Sequence, residues 1–126
     1  MGRLRGYFFD TYALIEYLRG EPGYRDKIEG GGITCILNLM ELYYKTLVEH
    51  GEELAEKVYL AFRVFTIEFD DDDVRNAMKL RLRLRNKGIK LSYADAMGYY
   101  LSLKHQVRFL TGDRAFRELD NVEFLQ

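Results

Sequence analysis

The chain has one cysteine, one proline, two histidines and almost no net charge, and each scarcity removes a class of explanation. With Cys35 alone, no intrachain disulfide can form, and a zinc site built from several thiolates is excluded. Cys35 lies in the apolar run Ile33–Leu37, where a buried, inert thiol is expected. The lone proline, Pro22, suits the first turn of a short helix running to Ile28. His50 and His105 have no ligand or nucleophile partner at a telling spacing, so neither is a candidate for catalysis. A formal charge of −1 points to no partner by itself. No apolar stretch approaches the roughly 18 residues of a membrane helix, and no signal peptide precedes the first strand. The opening Met-Gly is not a myristoylation signal, because position 6 is Gly6 rather than Ser or Thr. A cytoplasmic protein is the default expectation.

What the chain does have is enough apolar material for a core. At 126 residues, 48% hydrophobic and 14% aromatic, it reads as one domain spanning residues 1–126. Gly6–Phe9 is a short apolar strand, and Ala13, Leu14, Tyr17 and Leu18 recur at helical spacing until Gly20. The triplet Gly30–Gly32 is a turn before a second strand, Ile33–Ile36. Helices follow at 38–49 and 52–62, divided by Gly51, and a third strand is expected over Arg63–Phe69. From Asp70 to Asn86 the alternation of Leu80, Leu82 and Leu84 with arginines mimics a strand. Val74, Ala77, Leu80 and Leu84 also share a helical face, and an acidic start with a basic end suits the helix dipole, so this segment reads as helix. Gly88 ends it. Ser92–His105 is a helix, Val107–Leu110 a strand, Asp113–Leu119 a short helix and Val122–Phe124 a last strand. Short apolar strands alternating with helices predict an α/β fold with a mainly parallel sheet covered on both sides.

Four acids fall where these elements begin or end: Asp10 after the first strand, Glu41 and Asp95 early in helices, and Asp113 after Val107–Leu110. Each has a structural explanation alone. Asp10 or Thr11 could cap the first helix and Asp113 the helix after it; Asn38 with Glu41, and Ser92 with Asp95, have capping-box spacing. Together they suggest more, because parallel sheets gather ligands at the carboxyl ends of their strands, where Asp10 and Asp113 lie. Several carboxylates in one pocket repel unless a cation joins them, and oxygen-only ligation suits Mg²⁺ or Mn²⁺. The chain therefore reads as a metal-dependent hydrolase.

Four segments carry a resemblance: Phe9–Ile15 (FDTYALI), Asn38–Leu42 (NLMEL), Ser92–Ala96 (SYADA) and Leu110–Phe116 (LTGDRAF). In that order and at those separations the chain resembles the PIN domain, and most closely the VapC-type toxins of toxin–antitoxin pairs, from about Tyr7 to Phe124. The resemblance implies an α/β/α sandwich and a metal-dependent endoribonuclease leaving 5′-phosphate and 3′-hydroxyl ends. It implies that Asp10, Glu41, Asp95 and Asp113 hold one or two Mg²⁺ or Mn²⁺ ions, with Asp10 and Asp95 as direct ligands and Glu41 and Asp113 acting partly through water. Thr11, Thr111 and Asn38 would support them. Ala115 departs from the many relatives that carry another acid there, which bears on a second ion. A homodimer and a VapB-type antitoxin whose C-terminal segment fills the groove are implied as well. The small size, with no appended module, favours a stand-alone toxin over a housekeeping PIN nuclease of RNA maturation or quality control; a PIN-like module that binds RNA or a partner without cutting is the non-enzymatic rival.

Two further features stay open. Lys79, Arg81, Arg83, Arg85, Lys87 and Lys90 could steer an RNA backbone toward an acidic cleft or simply form a solvated helix face. Tyr12, Tyr17, Tyr43, Tyr44, Tyr99 and Tyr100 offer either partner contacts or ordinary packing. The Asp70–Asp73 run reads as a helix start rather than a second metal site. An aspartate-nucleophile phosphatase would want a second Asp where Tyr12 stands, and a response-regulator receiver lacks its surrounding context.

Overall fold

The computed structural model describes residues 6–126; Met1–Arg5, including the Met-Gly start considered above, lie outside the described residues. The chain runs β1 (Tyr7–Phe9), α1 (Thr11–Leu18), α2 (Pro22–Glu29), β2 (Gly32–Cys35), α3 (Ile36–His50), α4 (Glu52–Arg63), β3 (Thr66–Ile67), α5 (Asp71–Asn86), α6 (Tyr93–Lys104), β4 (Arg108–Thr111), a 3-10 turn at Arg114–Phe116, and β5 (Val122–Phe124). The five strands form one sheet in the order β3-β2-β1-β4-β5, every pair parallel.

Alternation along the strands builds the layers. Phe8 and Phe109 point to one face and stack at 5.6 Å between centroids, joined by Ala77 and Leu84 of α5 and Ala96, Met97 and Leu101 of α6. Phe9 and Leu110 point to the other, joined by Leu14 of α1, Ile28 of α2, Leu39 and Leu42 of α3 and Val58 of α4. The central strands β1 and β4 put apolar side chains on both faces, as a sheet covered on both sides requires. This is the α/β/α sandwich that the sequence predicts. Close approach needs missing side chains in two places. A Cβ on Gly98 would lie 2.8 Å from the Phe8 ring, and one on Gly32 would lie 2.3 Å from the Tyr7 carbonyl oxygen.

Four expectations change. The short helix expected over Asp113–Leu119 is a single 3-10 turn, Arg114–Phe116. The third strand is only Thr66–Ile67, because α4 continues through Arg63 and Phe62 and Phe65 pack inward at its end. Helix α3 starts at Ile36, directly from β2, so Asn38 lies inside it; the N-cap is Cys35, without a side-chain cap. The Asn38–Glu41 capping box therefore does not form. In α5, Val74 is 42% exposed, and the buried Asp73 takes its place on the inward face with Ala77 and Leu84. Asp70 caps this helix in a reciprocal box with Asp73, so the acidic run is a helix start. Of the tyrosines, Tyr99 packs on Phe109 and Phe116, Tyr17 on Phe62 and Tyr43 on Tyr59, whereas Tyr44 is 68% exposed. No helix among the described residues is long and apolar enough to cross a membrane.

Candidate metal centre

Strand order reverses at β1: the chain goes from β1 to β2 on one side and later returns to β4 on the other. That switch point opens a crevice at the carboxyl ends of β1 and β4. The register pairs Phe9 with Leu110, and the ladder continues one step further as Asp10 N–H donates to the Leu110 carbonyl at 3.2 Å. Asp10 and the Thr111–Asp113 segment therefore emerge side by side. Helix α3 brings Glu41 and α6 brings Asp95 to the same place. Asp10, Glu41, Asp95 and Asp113 line a single cleft of about 250 Å³, together with Thr11, Tyr12, Ile15, Lys45 and Ser92.

The cleft floor is a connected polar network. Asp10 is 3% exposed, and its Oδ2 accepts from the Thr111 hydroxyl at 2.7 Å. Thr111 Oγ1 in turn accepts the Asp113 backbone N–H at 3.0 Å. On the other side, Asn38 Nδ2 donates to Thr11 Oγ1 at 3.1 Å and, at 3.5 Å, to Asp10 Oδ1. Thr11 Oγ1 donates its own hydrogen bond to Glu41 Oε1 at 2.6 Å. Cys35 anchors the Asn38 amide by donating its thiol to Oδ1 at 3.3 Å. Cys35 is buried as expected, but it orients Asn38 rather than only filling space.

Capping explains part of the acids and leaves part unexplained. Asp95 and Ser92 form a reciprocal box, with Asp95 Oδ2 accepting from Ser92 N–H at 3.2 Å. Asp113 Oδ1 accepts from Ala115 N–H at 3.0 Å. Among the described residues this leaves Asp95 Oδ1, Asp113 Oδ2 and Glu41 Oε2 without a hydrogen bond. Asp10 occupies the N-cap position of α1 but makes no side-chain cap. Burial pushes the Asp10 carboxyl up to about 8, against the Thr111 bond, and the charges of Asp95 and Glu41 push in the same direction. Burial also raises Asp95; its bonds to Ser92 oppose this, and Glu41 and Asp113 reinforce it. These are carboxylates that feel one another, and none of the four has a basic side chain within ion-pair distance among the described residues.

The donors fit a hard divalent ion. All are carboxylate oxygens, with hydroxyls and an amide behind them, which matches Mg²⁺ or Mn²⁺ rather than a softer metal. Among the described residues no three histidine, cysteine or carboxylate side chains are gathered into a ready-made cage. An open arrangement agrees with Mg²⁺, which binds through one or two carboxylates and keeps several waters.

The PIN domain family matches residues 7–122, nearly the whole chain. The chain belongs to the PIN domain family. PIN domains are generally metal-dependent, in keeping with this donor set. No curated protein matches the chain significantly. Among solved structures it is similar to a toxin–antitoxin complex from Klebsiella pneumoniae, at 20% identity and TM-score 0.72, over 94% of this chain and 96% of that one. It is also similar to VapBC from Salmonella typhimurium bound to DNA (18%, 0.77, 97% and 98%). VapBC2 from Rickettsia felis, bound to a DNA fragment from its promoter, is a third (17%, 0.74, 96% and 98%).

The PIN fold brings Asp10, Thr11, Asn38, Glu41, Asp95, Thr111 and Asp113 together. Of the cations, Arg81 and Arg85 line a separate hollow with Lys90, and Arg83 and Lys87 do not. Lys45 and Cys35 were missed as contributors. Lys45 carried one signal, its four-residue spacing from Glu41 on α3, which puts both on one helix face. His50 lines a different groove and stays apart from the acids.

Proposed function

We propose that this PIN domain is a divalent-metal-dependent endoribonuclease and the toxin of a VapBC-type pair. The observation that carries the reading is the buried, uncapped Asp10 at the switch point, facing Asp95, Glu41 and Asp113 across one cleft. Asp10 and Asp95 would hold Mg²⁺ or Mn²⁺ directly, with Glu41 and Asp113 contributing through water. A bound ion would supply Lewis acidity toward a phosphate oxygen and lower the pKa of a water. The chain's own groups do the positioning. Thr111 and Asn38 hold the Asp10 carboxylate in place, Thr11 holds Glu41, and Asn38 is itself fixed by Cys35. Lys45 offers the cleft a positive charge for a substrate phosphate, offsetting a rim that would repel RNA.

Partners are proposed on surface features. An apolar groove of about 220 Å³ between α1, α3 and α4, lined by Ile15, Leu18, Leu42, Leu54 and Val58, shares Ile15 and Lys45 with the acidic cleft. It suits an amphipathic antitoxin segment that could reach the acids, and the three similar structures are toxin–antitoxin complexes. Ile36, Met40, Tyr44 and Val48 form an exposed stripe at four-residue spacing on α3, which supports a homodimer.

The test is RNA cleavage with Mg²⁺ or Mn²⁺ by wild type, Asp10→Asn and Asp95→Asn. Loss of cleavage in both variants, and in wild type with chelator, is expected. Metal-independent cleavage, or full activity in both variants, would sink the mechanism. RNA retention with no cleavage in either metal would indicate a binding module.

A further inference from the structure

Helix α5 starts acidic and ends basic, and the structure treats the two ends differently. At the start, Asp72 pairs with Arg75 at 2.5 Å and Asp73 with Lys104 at 2.7 Å. At the end, no carboxylate among the described residues lies within ion-pair distance of Arg81, Arg83, Arg85, Lys87 or Lys90. A face of mutually compensating charges would have paired both halves. The basic half is left with its charge available.

Part of that charge is also organised. Arg81, Arg85 and Lys90 surround a hollow of about 200 Å³, with the buried Leu91 as its fourth wall. Arg81 is held from two directions: its Nε donates to the Leu91 carbonyl at 2.8 Å, and its guanidinium lies 4.5 Å from the centroid of the Tyr93 ring. Tyr93 is 66% exposed, a large aromatic left in water on top of a fixed cation. Between Leu91 and Tyr93 stands Ser92, which lines the acidic cleft. The cationic hollow, the exposed ring and the candidate metal centre thus adjoin along one short stretch of chain.

We propose that Arg81, Arg85 and Lys90 form a backbone-phosphate subsite and that Tyr93 stacks one base of single-stranded RNA. This rests on the reading of RNA as the substrate. Guanidinium and ammonium groups recognise the phosphate, and an exposed ring accepts any unstacked base, so the strand is selected for being unpaired rather than for its sequence. Arg81 is the positioning residue for the platform, since cation–π contact and its bond to Leu91 stiffen Tyr93 before RNA arrives. The pair places a strand across the acidic cleft from a second point of attachment.

The experiment measures binding of a labelled, unstructured oligoribonucleotide to the full chain carrying Asp10→Asn, by fluorescence anisotropy over a range of salt. Arg85→Ala with Lys90→Ala is expected to flatten the slope of log affinity against log salt by about 0.7, the value for one lost single-strand phosphate contact. Tyr93→Ala is expected to weaken binding roughly tenfold with little change in slope, and Tyr93→Phe to restore it. Arg75→Ala removes one charge from the same helix at its paired end and is expected to change affinity less than twofold. Melting curves confirm that each variant folds. Unchanged affinity in Tyr93→Ala and in the double variant overturns the proposal. So does an Arg75→Ala loss as large as that of the double variant, or equally tight binding of fully paired RNA with the same dependence on Tyr93. Wild-type cleavage is measured in parallel. The expected binding pattern without cleavage keeps the subsite and removes the nuclease reading; cleavage with no variant effect on binding removes only the subsite.

Discussion

Asp10 and Asp73 are both almost closed to water, 3% and 2% exposed, although Asp10 lies deeper in the protein, and their proton affinities move in opposite directions. Burial is the largest influence on both, and alone it would raise both. Around Asp73 it is outweighed by the Lys104 ammonium, the Asp70 backbone N–H and the Tyr100 hydroxyl, and the carboxyl ends below its ordinary value. Around Asp10 the Thr111 bond is not enough, the neighbouring Asp95 and Glu41 are anionic, and the carboxyl rises to about 8. One acid has its counter-charge built in, as an element of structure would. The other faces neighbouring carboxylates with no basic side chain within ion-pair distance among the described residues, the environment that the proposed role as a metal ligand calls for.

The most severe way to test this contrast is to remove each charge while keeping its shape. Asp10→Asn is expected to lower metal-dependent RNA cleavage by at least about a hundredfold, since it removes a proposed direct ligand of the ion. Asp73→Asn, assayed well below its melting temperature, is expected to cleave within about threefold of wild type, because Asp73 lies outside the cleft. Equal losses in the two variants would erase the distinction.

The next test reads stability against pH. A carboxyl whose pKa is raised by folding favours the native state fully below its ordinary value near 3.8 and loses that contribution as pH climbs through about 8. In chelator, wild type should therefore lose stability over this window, on the order of a few kcal/mol by pH 8. Asp10→Asn has no such charge and should melt higher than wild type at pH 8, the two converging toward pH 4. Mg²⁺ or Mn²⁺ should raise wild-type melting at pH 8 and leave Asp10→Asn little changed. Asp73 has the opposite sign. Its carboxyl is depressed, so its contribution is present above the ordinary carboxylate value and fades as pH falls through its lowered one. Asp73→Ala, which also breaks the box with Asp70, should cost about 1–3 kcal/mol in chemical denaturation at neutral pH. The half-exposed Lys104 keeps that figure modest. No measurable loss would mean that Asp73 is not a structural acid.

Much of the framework was legible because local rules and tertiary packing agree. Strand–helix alternation, glycine stops, the Ser92 box and the Asp70 start all follow from neighbouring residues. Where packing competes with local signals, the sequence misled. Val64, Phe65, Ile67 and Phe69 look like a strand, yet Phe62 and Phe65 pack better at the end of a helix. Val74 looks like a core residue, but Lys104 and Tyr100, distant in sequence, make it possible to bury Asp73 instead. The four acids could be found by their order along the chain. Their common cleft followed only from the family resemblance and not from neighbouring residues, because it depends on β1 pairing with β4, about a hundred residues apart.

Asn38 sharpens the comparison at its smallest scale, because the sequence suggests a helix cap and the structure makes it part of the Asp10 environment. Helix α3 begins at Ile36, so Asn38 has already entered the helix and its amide points across to Asp10 and Thr11 instead of back to its own backbone. If it were a cap, Asn38→Asp would be harmless, since Asp caps as well as Asn. As a donor to Asp10 and Thr11 it cannot be replaced by an aspartate, which when ionised only accepts. Asn38→Asp should therefore lower cleavage more than Asn38→Ala, for which about a tenfold loss is expected from mislaying an outer-shell partner. Cys35→Ala removes only the thiol that orients the amide and should cost no more than about threefold, a neutral S–H bond being weak. Cleavage by the Asn38→Asp variant at the wild-type level would return Asn38 to the helix and leave Asp10 supported by Thr111 alone.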